Sequence, residues 1–62
     1  MTPAIEQRRR VRTVAIRHYA QLASIHESVA RDYDEVGFPV MAAKERLAAW
    51  LCWAAAKSEA KA

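Results

Sequence analysis

The chain has 62 residues, a formal charge of +3, one cysteine, one glycine and two prolines. A chain this short buries only about 60% of the surface its unfolded form exposes, so a core of this size needs a staple. Cys52 alone excludes an intrachain disulfide framework, and no Cys/His set has the spacing of a structural zinc site, which leaves oligomerisation as the staple.

The opening residues, MTPAIEQRRR, lack the apolar h-region of a signal peptide because arginines interrupt them at once, so no secretion signal is expected. Together with the lone thiol this points to a reducing, cytoplasmic setting. Thr2 followed by Pro3 reads as a helix start: the hydroxyl can accept from orphan N–H groups, and proline fills the first helical position without losing a needed donor. Helix 1 is expected over about 3–35, with Val11, Ala15, His18, Leu22, Ile25, Val29, Tyr33 and Val36 recurring in steps of three and four on one face. Ser24 and Glu27 form a Ser-x-x-Glu pattern that competes for a helix start, but Ala23, Ile25 and Val29 carry the period through it. Asp32, Asp34 and Glu35 sit at the negative end of the helix dipole and favour fraying of its last turn.

Gly37 and Pro39 break the pattern, so residues 35–38 are predicted as a turn and helix 2 over about 39–57, followed by a frayed tail at 58–62. The run LAAWLCWAAA at 47–56 is apolar all round. As a helix it rises only about 15 Å against roughly 30 Å of bilayer hydrocarbon, so no membrane span is expected. So short a turn folds the two helices back on each other. The fold class is therefore all-α: a single antiparallel helical-hairpin domain over 1–62, with a basic N-terminal overhang at about 3–14 where helix 1 outruns helix 2, dimerising into a four-helix bundle.

Charge is segregated along this frame. Residues 1–17 carry Arg8, Arg9, Arg10, Arg12 and Arg17 against Glu6, whereas residues 18–38 carry Arg31 against Glu27, Asp32, Asp34 and Glu35. An antiparallel dimer would bring each arginine arm toward the acidic end of its mate.

On a helical wheel, Val40, Ala43, Leu47, Trp50, Leu51 and Ala54 fall on one face, expected to pack on helix 1. Trp53 and Cys52, with Ala42, Ala49 and Ala56, form a nearly opposite surface where small residues would admit another helix around one large ring. These five residues, with the neighbouring Trp50, are the candidate partner or dimer interface. His18 and His26 lie about 12 Å apart along the helix, too far to share a metal, and a half-buried, hydrogen-bonded state is the expectation for such residues. Cys52 stands among apolar neighbours that disfavour a thiolate, and no serine sits in a glycine-rich elbow, so neither catalysis, a cofactor nor a metal is expected.

The expected function is a non-enzymatic protein–protein interaction module, a homodimeric hairpin acting as inhibitor, adaptor or regulator of another protein. The alternative is an RNA- or DNA-binding hairpin dimer that uses Arg8, Arg9, Arg10, Arg12 and Arg17 to neutralise phosphates.

Overall fold

The structure, a computed structural model, describes residues 3–61; the Thr2 cap and the last tail residue, Ala62, lie outside the described residues. Two helices account for the chain, α1 over Pro3–Glu35 and α2 over Pro39–Lys61. They form the antiparallel hairpin that the short turn demanded, a slender body about 54 Å long. α1 runs through Ser24 without interruption, and the acidic residues do not shorten it. At its C-terminal end, where no basic residue of α1 itself faces the dipole, Asp34 is paired with Arg46 from α2.

The turn closes by a recognisable physical device. Gly37 takes φ +85°, a conformation costly for any residue with a Cβ. The Phe38 N–H then donates to the Tyr33 carbonyl at 2.8 Å and the Gly37 N–H to the Asp34 carbonyl at 3.2 Å, which satisfies two orphan acceptors of α1. The Tyr33 and Phe38 rings meet edge to face at 6.4 Å and seal this junction. Phe38 also opens α2, since its carbonyl accepts from the Ala42 N–H at 3.0 Å while Pro39 occupies the first helical position.

The seam between the helices is built from alanine. Ala23 and Ala30 of α1 and Ala42, Ala49 and Ala56 of α2 are the buried apolar residues, and no large side chain is fully buried among the described residues. Each set repeats every seven residues, the period at which two helices stay in contact along their length. Three cross-helix links bracket the register: His26 with Glu45 on one edge, Glu27 with Trp53 and Asp34 with Arg46 on the other. Midway between these edges His26 lies level with Ala49, and Ala23 with Cys52. α2 therefore ends near the level of Val14, and roughly ten residues of α1 project past it, about 15 Å of helix.

Three expectations are corrected by this seam. The first concerns α1: the apolar stripe read from its sequence is only partly covered, since Val11, His18, Ile25 and Val36 are exposed while Ala15, Leu22, Val29 and Tyr33 are half-buried, and the fully buried positions are Ala23 and Ala30 instead. The second concerns α2, whose two faces are exchanged. Ala42, Ala49 and Ala56, expected to await a partner, are buried against α1, while Val40, Leu47, Trp50 and Leu51 point away from it. Small residues admit the nearest helix, and here the nearest helix is the chain's own. The third concerns the tail: residues 58–61 continue α2 rather than fraying, because alanine, lysine and glutamate are strong helix formers and add a further turn over Arg12 and its neighbours.

Candidate interaction surfaces

An alanine seam leaves the large apolar side chains outside. Each would contribute about 1.5–3 kcal/mol on full burial, more than an alanine releases. Their placement on the hairpin follows from the seam. At 100° per residue from the seam, Leu22 and Val29 of α1 fall on the same edge as Met41, Ala48 and Ala55 of α2, the edge also marked by the His26–Glu45 link. Ile25, 51% exposed, and Leu51, 54% exposed, lie on the outer backs of their own helices, turned away from the seam.

The opposite edge is polar and aromatic. Glu27 Oε1 accepts from the Trp53 indole N–H at 2.8 Å, and Asp34 pairs with Arg46, so two acids are occupied by links one heptad apart. An open cleft here is lined by Glu27, Arg31, Arg46, Ala49, Trp50 and Trp53. Arg31 makes no ion pair among the described residues, and Trp50 stands 64% exposed beside it. Trp53, the residue singled out from the sequence, is thus tied at one end to α1 and open on its ring. Cys52 is a free thiol, half-buried at the seam level with Ala23.

The back of α2, turned away from α1, carries Val40 and Leu47, both more than half exposed, and continues into Trp50. No family model, curated protein or solved structure matches the chain. Its surfaces are therefore read from their own chemistry.

The projecting arm presents Arg8, Arg9 and Arg10 to solvent, and Arg17 is exposed beyond it; Arg12 is half-buried and engaged. Arg12 and Glu59 line the same groove where the end of α2 meets the arm. Within the arm the Thr13 hydroxyl donates to the Arg9 carbonyl at 2.9 Å, one turn back. Of the two histidines, His26 is half-buried and its Nδ1 lies 2.6 Å from Glu45 Oε2, whereas His18 is exposed with its ring tilted on Tyr19. Among the described residues no three or more His, Cys, Asp or Glu side chains gather as a metal site would, and no helix is long and apolar enough to cross a membrane.

Sequence reasoning missed the links His26–Glu45, Glu27–Trp53 and Asp34–Arg46. The signal for them was present: Glu27 and Asp34, like Arg46 and Trp53, are seven residues apart, in step with the alanines.

Proposed function

We propose that this chain is a non-enzymatic protein–protein interaction module: a helical hairpin that pairs with a second copy as a four-helix bundle and offers the back of α2 to another protein, which it inhibits, adapts or regulates. The observation that carries this reading is the inversion of α2. Its inward face is alanine, while Val40 and Leu47 stand more than half exposed on the side turned away from α1, with the exposed Trp50 at its edge. Large aromatic and aliphatic side chains held rigidly on a helix are the material of interface hot spots. Leu47→Lys is the direct test, because it alters that surface without touching the seam. Immobilised wild-type chain is expected to retain a discrete protein from a lysate of the cells that make it, and the Leu47→Lys chain to lose it. Identical retention by the two chains, or none by either, would overturn the assignment of the back of α2.

The arginine arm supports a second reading, in which the hairpin binds RNA or DNA. Its supporting observation is that Arg8, Arg9 and Arg10 are exposed on the part of α1 that projects past the end of α2, where Glu59 shares a groove with Arg8, Arg9 and Arg12. Neutralising three or four phosphates would make affinity fall about tenfold or more between 50 and 200 mM salt. Fluorescence anisotropy with mixed-sequence RNA and duplex DNA at low salt checks this, and absence of binding there ends the nucleic-acid reading.

A further inference from the structure

The sequence stripe of α1 that α2 only partly covers has a symmetry of its own. Counted about the point midway between Ala23 and Ser24, Val11 corresponds to Val36, His18 to Val29 and Leu22 to Ile25. A second α1 laid antiparallel over this stripe would therefore set Val11 on Val36 and Leu22 on Ile25, with the His18 ring beside Val29. Closed dimers require such self-complementarity, because each copy presents the same patch to the other.

Charge selects the same arrangement. Antiparallel pairing about that point brings the exposed Arg8–Arg10 segment of each arm to within about one turn of Asp34 and Glu35 of its mate. Parallel pairing would stack arm on arm and acid on acid, and would set Val11 against Val11 with no use of the symmetry.

We infer that the outer stripe of α1, centred on Leu22 and Ile25, is occupied by a second copy of this chain in an antiparallel arrangement, with α1 against α1 and each arginine arm over the acidic turn end of its mate. This rests on the reading of the chain as a paired hairpin, and it names the face, the direction and the register. The back of α2 and the Trp50–Trp53 edge stay outside the dimer.

Cysteine cross-linking in a Cys52→Ser background reads direction and register together. Val11→Cys and Val36→Cys chains, mixed in equal amounts and oxidised with a glutathione redox buffer, are expected to give mainly the mixed 11–36 disulfide. Each chain alone should give little dimer on a non-reducing gel. Sedimentation equilibrium on the same samples separates the possible failures. Homodisulfides in preference to the mixed product, or no cross-link in a chain that sediments as a dimer, overturn this face and register while leaving the paired hairpin standing. A chain that stays monomeric at millimolar concentration overturns both.

Ile25→Lys supplies an independent arm. Because the side chain is half exposed in the single hairpin, helix content should persist in circular dichroism. Self-association should weaken by roughly a hundredfold, since the twofold places two copies of the substitution at the centre of one dimer. Ser24→Lys, exposed about 100° round α1 from Ile25 and about 160° from Leu22, should leave it unchanged. Equal dimerisation of Ile25→Lys and wild type would sink the proposed face.

Discussion

Ala49→Leu is expected to destabilise the hairpin by about 1–3 kcal/mol. Ala49 is 3% exposed and lies level with His26, between the buried Ala23 and Ala30 of α1. The three added carbons have no space to enter without pushing the helices apart or forcing strained rotamers, and overpacking of this kind costs about 1–3 kcal/mol. A single core in a chain this size supplies roughly 3–5 kcal/mol, so a mid-range penalty removes about half of it. The internal control is Ala54→Leu, one and a half turns along the same helix on the exposed side, which should change stability by no more than about 0.5 kcal/mol. Urea unfolding followed by the helical circular dichroism signal compares the two. Equal midpoints for Ala49→Leu and Ala54→Leu would mean that the alanines do not form a close-packed seam.

Gly37→Ala should be the next most damaging small change, at about 1–2 kcal/mol, even though a Cβ there meets nothing within 4 Å. The penalty comes from the backbone. At φ +85° an added methyl group crowds the adjoining peptide, and relaxing φ would break the bonds from Phe38 to the Tyr33 carbonyl and from Gly37 to the Asp34 carbonyl. Those bonds aim α2 back along α1, so misdirecting them spoils the seam at its first layers. Thermal unfolding reads the effect. Gly37→Asn should recover part of the loss, because asparagine tolerates the left-handed region better than alanine.

Much of the fold was legible in the chain. Pro3, Gly37 and Pro39 mark the bounds of α1 and the start of α2, and the projecting basic arm followed from unequal helix lengths. The inner and outer faces were not legible from apolar periodicity, for a physical reason. Periodicity weighs side chains by how much apolar surface they carry, so the row from Val11 to Val36 and the row from Val40 to Leu51 dominate it. The seam is chosen by how closely two backbones can approach, and there the smallest residues prevail. Ala23, Ala30, Ala42, Ala49 and Ala56 at intervals of seven were the better guide to what touches what. The large residues instead mark what the hairpin presents. Trp53 was singled out as an interface residue, and its place in the hairpin was not legible: its indole N–H links α2 to Glu27 of α1 while its ring stays 43% exposed.

The sevenfold spacing that places Glu27–Trp53 and Asp34–Arg46 on one edge also makes the body of the molecule modular. Seven residues added to each helix beyond Ile16 and Ala56 would append one more layer and leave every existing side chain facing as before. One residue added within either helix would turn everything beyond it by about 100° and carry the alanines out of the seam. The arm largely escapes this rule, because α2 meets it only at its end, where Glu59 shares a groove with Arg12. Two parts of one continuous helix thus evolve under different constraints: the paired section can change length only in whole heptads, while the arginine-bearing section can lengthen or shorten a residue at a time, adjusting its reach without disturbing the hairpin.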